Sequence, residues 1–118
     1  MKTKSAKAKG RRLQQEVRDA ILAAFTHLTE RDVRSTSMGC YGTDVLLSEA
    51  GKASFPYSVE CKSHSRMAIY SLFLQSVANS TPDTTPLLVV KQDRSVPLAV
   101  ITLDHFMELT KNAGNVRN

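Results

Sequence analysis

Asp44 and the tripeptide Glu60-Cys61-Lys62 are the residues of this chain best suited to chemistry. Glu60 and Lys62 are two apart, so in a strand they share a face, a carboxylate beside an ammonium. With Asp44 opposite them on a neighbouring strand, two acids and a lysine converge on the end of a small sheet. Carboxylates at such a spot suit Mg²⁺, and a lysine beside them suits an attacking water or a phosphate oxygen. A charged pair at the rim of buried strands needs a reason, because unpaired buried charge is costly. The plain alternative is a Glu60–Lys62 ion pair at a solvated sheet edge.

The chemistry that fits is phosphodiester hydrolysis. The substrate is an anionic, sluggish electrophile, so the reaction needs charge neutralisation, a positioned water and a stabilised leaving oxygen. Charge along the chain points the same way. Of the net +5, six positive charges lie in residues 1–12 (Lys2, Lys4, Lys7, Lys9, Arg11, Arg12) with no acid among them, leaving the rest at −1. A basic arm on a near-neutral domain is common among polyanion binders; a solubilising tail is the bland reading. His64 and Arg66 follow the tripeptide closely and are candidates for phosphate contact, against a surface-loop role. Tyr41 is read as packing on its loop and His105 as structural or at the surface.

Other classes are excluded by what the sequence lacks. Two cysteines, Cys40 and Cys61, and three scattered histidines make no zinc spacing. No glycine-rich phosphate loop is present. No apolar run is long enough to span a membrane, and no apolar signal region opens the chain, so it reads as intracellular with free thiols.

The elements that must position these residues follow from periodicity. Residues 1–9 read as a flexible basic arm, 10–111 as one domain and 112–118 as a frayed end. Leu13, Val17, Ala20, Ile21, Ala24 and Leu28 mark a helix over 11–28, with Glu16 at the edge of the stripe. Residues 32–37 suggest a short strand. Ser37 to Gly42 are a turn-rich approach to a strand over 43–48, and 49–54 read as a plain connection. Phe55 to Lys62 form the next strand, with Val59 and Cys61 on one face and Glu60 and Lys62 on the other. A helix over 66–79 is predicted to bury Met67, Tyr70, Phe73, Leu74 and Val77. Strands over 87–91 and 98–101 precede a last helix, capped by Thr102 and carrying Leu103, Phe106, Met107 and Leu109. That order predicts an α/β fold, a small mixed sheet flanked by helices.

On Gly10-Arg11-Arg12 leading to Glu16, then Gly42-Thr43-Asp44-Val45, Glu60-Cys61-Lys62 and Gln75, the chain resembles the PD-(D/E)xK nuclease superfamily, most of all its small archaeal and phage-type Holliday-junction resolvases. The resemblance covers roughly residues 10–110, although Thr43 stands where the superfamily's name has proline. It implies a restriction-endonuclease-like core and a Mg²⁺-dependent endonuclease, with Mn²⁺ able to substitute. Glu16, Asp44, Glu60 and the Cys61 carbonyl would hold the metal, Lys62 would act on the water and the transition-state charge, and Gln75 would support the site. Asp19 competes with Glu16 for the helix acid. Ser37, Lys7, Lys9, Arg11, Arg12, His64 and Arg66 would meet DNA. The implied partner is branched DNA, bound by a homodimer in recombination or repair, in a cell's cytoplasm or nucleoid or in a phage-infected host. The same site would serve a nuclease of duplex or single-stranded DNA. A nucleic-acid-binding module without cleavage is the non-enzyme reading.

Overall fold

The computed structural model describes residues 4–36 and 43–117. The expectations for Ser37, Cys40, Tyr41 and Gly42 therefore lie outside the described residues.

Lysine and alanine dominate the start of the chain, and both are strong helix formers. Helix α1 accordingly runs Lys4–Ala24. This corrects the expected flexible arm: residues 4–9 are helical, because nothing in that stretch breaks a helix. α1 turns Leu13, Gln14 and Ile21 inward, while Leu28, expected in the same helix, is buried beyond its end.

A hairpin-like pair follows, β1 (Val33–Ser35) antiparallel to β2 (Val45–Leu47). The segment read as a plain connection is a short helix, α2 (Glu49–Ser54), whose first turn is capped by the Ser48 hydroxyl accepting from Gly51 N–H. Asp32 organises this corner. Its carboxylate accepts from Thr29 N–H at 2.9 Å and from the Ser48 hydroxyl at 2.7 Å, and its carbonyl accepts from Ser48 N–H.

The main sheet is β3 (Tyr57–Ser63), β4 (Thr85–Lys91) and β5 (Leu98–Val100), in that order. β3 and β4 are parallel and joined through helix α3 (Ile69–Ala78), as parallel neighbours require a crossover. β4 and β5 are antiparallel, joined by a turn in which Arg94 takes φ 60°. The last helix, α4, runs Leu103–Arg117, with Thr102 Oγ1 accepting from His105 N–H. It continues through most of the stretch expected to fray. Among the described residues no helix is long and apolar enough to cross a membrane.

The core lies between α1 and one face of the strands, built from Leu13, Ile21, Val33, Val45, Val59, Cys61, Leu87 and Val89. Leu87 to Val90 are buried on both faces, as befits the central strand. α3 covers the other face with Ser76 buried and Ile69, Leu72 and Phe73 half-buried, so of the predicted stripe Phe73 turns inward and three members do not. Tyr70, Leu74 and Val77 point outward and are exposed, as are Leu103, Phe106 and Met107 on α4. The small Ser76 lies at the centre of that contact, and the rotation of the helix leaves Tyr70, Leu74 and Val77 at the surface.

Gly51 supplies a test of the Asp32 corner. A Cβ there would lie 2.7 Å from the Asp32 carbonyl oxygen, a backbone atom that cannot move aside. Alanine ordinarily stabilises a helix position by about 1 kcal/mol over glycine. Here Gly51→Ala is expected to destabilise the protein by about 1–3 kcal/mol, the usual cost of overpacking. Urea denaturation reads the sign; a stabilised variant would show the close approach to be unimportant.

Candidate active site

Asp44 sits where the two sheets meet, at the entry to β2. Its N–H donates to the Val59 carbonyl at 2.8 Å, and its carboxylate Oδ2 accepts from Cys61 N–H at 2.7 Å. Its carbonyl accepts from the Thr36 N–H and hydroxyl at the end of β1. Backbone and side chain together therefore fix the carboxylate against the middle of β3. In a strand the N–H and C=O of one residue point to the same side. The Cys61 carbonyl thus faces the Asp44 side, away from β4.

Glu60 is the buried acid of β3, on the face covered by α3. One of its oxygens, Oε1, accepts from Asn79 Nδ2 at 2.9 Å. Its carboxyl is also near enough to Asp44 for its charge to act there. Burial, with Glu60 as a second cause, pushes the Asp44 carboxyl up to about 6, while the Cys61 N–H and the Lys62 ammonium pull the other way. Lys62 is half-buried and near enough for its charge to act on Asp44. The ion pairs among the described residues do not include it, so the expected alternative of a direct Glu60–Lys62 bridge is not formed. Burial, with the two carboxylates beside it, raises the Cys61 thiol far above its ordinary range, which leaves it inert.

Glu16 is not brought to this group. It is exposed on α1 and lines an apolar groove with Val89, Pro97, Leu98 and Ala99, toward the β5 edge of the sheet. Asp19, the other candidate on this helix, is also exposed and pairs with Arg18. The polar side chain that α1 turns inward is Gln14, whose Oε1 has no hydrogen-bond partner. Sequence reasoning missed it because it falls on an apolar stripe. Gln75 is exposed on α3, and its carbonyl receives the Asn79 N–H that ends the helix. The side chain that reaches Glu60 is thus Asn79, one turn beyond Gln75. The i, i+4 spacing was the available signal.

Among the described residues no group of three or more His, Cys, Asp or Glu side chains is gathered closely enough to hold a metal ion. The donor set is two carboxylates and the Cys61 carbonyl. Three hard oxygens of this kind fit Mg²⁺, which ordinarily takes one or two carboxylates and leaves its other positions to water and phosphate.

The surrounding charge is positive. Lys62 and Lys91 lie at the carboxyl ends of the parallel strands, with His64 and Arg66 in the loop that follows β3. Lys9 of α1 pairs with Asp93 in the turn after β4 at 2.9 Å, which brings the basic start of α1 to that same end. Gln92 Nε2 donates to the Ser65 carbonyl and ties the two loops together. Lys7, Arg11 and Arg12 are exposed on the helix. Compared with known protein families, curated proteins and solved structures, the chain matches none.

The raised Asp44 carboxyl carries a signed consequence. A carboxyl whose folded value lies above its ordinary 3.8 weakens the fold when ionised. The penalty is full above about 6, shrinks as pH falls through 6, and is gone below the ordinary value. Asn at this position keeps an oxygen for Cys61 N–H and drops the charge. Asp44→Asn is expected to melt higher than the parent at pH 8 in chelator, with the gap closing by pH 4. Thermal melts by circular dichroism check this. A gap that widens toward acid pH would refute the assignment.

Proposed function

We propose that this chain is a Mg²⁺-dependent DNA endonuclease of the PD-(D/E)xK kind, acting on four-way or branched DNA. The observation that carries the reading is the convergence of Asp44, Glu60 and Lys62 on β3 beside the basic end of the molecule. The preference for branched DNA rests on the motif likeness alone.

Asp44, Glu60 and the Cys61 carbonyl would hold the ion. When bound, it supplies Lewis-acid polarisation of a phosphoryl oxygen and helps neutralise the phosphate's charge. Lys62 has no ion-pair partner of its own among the described residues, so its ammonium is available to orient the water and to meet the charge that builds on phosphorus-bound oxygen. Asn79 holds Glu60 by one oxygen and leaves the carboxylate a fixed orientation. Arg11, Arg12, Arg66 and His64 bind backbone phosphates without reading sequence.

Single-turnover cleavage of four-way junction, duplex and single-stranded DNA, with and without Mg²⁺, tests this. Glu60→Gln is expected to lose Mg²⁺ affinity and cleavage. Lys62→Ala is expected to keep Mg²⁺ binding and lose roughly 10²-fold or more in rate, the scale of one electrostatic stabiliser. Asn79→Ala should fall between the parent and Glu60→Gln. Wild-type rates in Glu60→Gln and Lys62→Ala would overturn the site. Binding of DNA with no cleavage under any condition would leave a binding module instead.

The helical start of the chain gives a separate expectation. Lys4, Lys7 and Arg11 are exposed and lie along one side of α1, while Lys9 is engaged by Asp93. Each phosphate contact contributes about 0.9 to the slope of log affinity against log salt. Lys7→Gln with Arg11→Gln should therefore lower the slope by nearly two such steps, and Lys9→Gln by less. An unchanged slope would show this end of α1 to be a bystander.

A further inference from the structure

Among the described residues Arg94 is the one non-glycine residue with a positive φ, 60°. It stands third in a tight turn, Gln92 to Ser95, closed by the Ser95 N–H donating to the Gln92 carbonyl at 3.1 Å. The left-handed conformation at that place favours glycine and asparagine, because a Cβ crowds the following backbone there. An arginine therefore costs stability that a glycine would not. Strain of this kind gathers where a side chain serves a ligand.

The fold accounts for the turn but not for the arginine. Lys9 Nζ donates to both Asp93 oxygens, at 2.9 and 3.1 Å, and fastens the turn to α1. Gln92 Nε2 donates to the Ser65 carbonyl and fastens the turn to the loop after β3. Both braces come from the neighbours of Arg94. Arg94 itself is exposed and enters none of the ion pairs among the described residues; the acid beside it, Asp93, is held by Lys9. A guanidinium is thus presented on a stiff turn at the surface.

Its position selects the ligand. Lys62 lies opposite Val90 in the parallel ladder, and Lys91 and the turn follow directly. Four residues of chain separate Val90 from Arg94, so the arginine stands no more than about 13 Å beyond the level of Lys62. Along one DNA strand that is about four phosphates, at roughly 3.4 Å each. Lys62, Arg66 and Lys91 extend the same positive surface, which suits a polyanion better than a single carboxylate.

We propose that Arg94 is a backbone anchor for DNA. Its planar fork grips a phosphate a few nucleotides from the one at Lys62, and the braced turn fixes that separation. The chain gives up stability at the turn to place the cation. The proposal rests on reading this end as the nucleic-acid face, not on cleavage. A phosphate contact positions the duplex and carries no sequence preference.

Fluorescence anisotropy of a labelled DNA duplex with the full chain, in chelator so that nothing is cut, tests this across about 50–200 mM salt. Thermal melts by circular dichroism accompany it. Arg94→Gly is expected to melt higher than the parent yet bind about tenfold more weakly, the scale of one charge-assisted contact. Its slope of log affinity against log salt should fall by about 0.9. Arg94→Ala should lose the same affinity without the gain in melting, and Arg94→Lys should keep the slope. Parental affinity and slope in both Arg94→Gly and Arg94→Ala would overturn the anchor and leave the nuclease reading untouched. An Arg94→Gly protein that melts lower than the parent would also overturn it, because the arginine would then serve the fold. A parent that binds no duplex would overturn anchor and nuclease together. A parent that binds through Arg94 but never cuts in Mg²⁺ would uphold the anchor and remove only the nuclease.

Discussion

The architecture depends on how Asp44 joins the two sheets. β1–β2 and β3–β4–β5 share no regular ladder. Besides the shared packing on α1, what joins them is one residue giving its N–H to Val59 and its carboxylate to the Cys61 N–H. A carboxylate here replaces a strand carbonyl. It satisfies the β3 backbone as a neighbouring strand does, and it leaves a negative charge in a half-buried place. A neutral acceptor makes the same hydrogen bond at lower electrostatic cost. The fold thus holds its most expensive group at the seam that unites it, which is where local strain and function commonly coincide.

Around that seam, charge is sorted by position. Asp44 and Glu60 lie toward the middle of β3, whereas the carboxyl ends of β3 and β4 and the start of α1 are rich in cations. Asp93 pairs with Lys9 and so offsets one of these cations, leaving Lys62, Arg66 and Lys91 to supply that field. Ligands of open α/β sheets ordinarily sit beyond the carboxyl ends of the strands. A polyanion arriving there would meet cations first and the carboxylate pair behind them. The two parts of the proposed nuclease, attraction and hydrolysis, are therefore supplied by different layers of the same end.

The faces of the sheet are unequal. α1 covers one with a continuous apolar core, and α3, a ten-residue helix, covers only part of the other. Three strands next to one short helix leave β5 uncovered, and an uncovered edge strand is ordinarily blunted by charge or by a partner. β5 itself carries no charge. The helix beside it, α3, is uncharged as well.

Most helix and strand positions, their order along the chain and the α/β class were legible from the residues, because alternation and 3.6-residue spacing are local properties. The neighbourhood of Asp44, Glu60 and Lys62 was legible too, since a strand puts i and i+2 on one face. Other features were not, among them the short helix α2, read as a plain connection. The helical state of residues 4–9 lost to an argument from charge, although lysine and alanine favour helix on propensity alone. The outward turn of Tyr70 and Leu74 depended on which side of α3 meets β4, and an almost wholly apolar helix gives no periodic contrast to decide it. The choice of Asn79 over Gln75, and the placing of Glu16 toward β5, required the rotation and depth of two helices against the sheet. Spacing along a chain determines which side chains share a face. Only packing determines what that face meets.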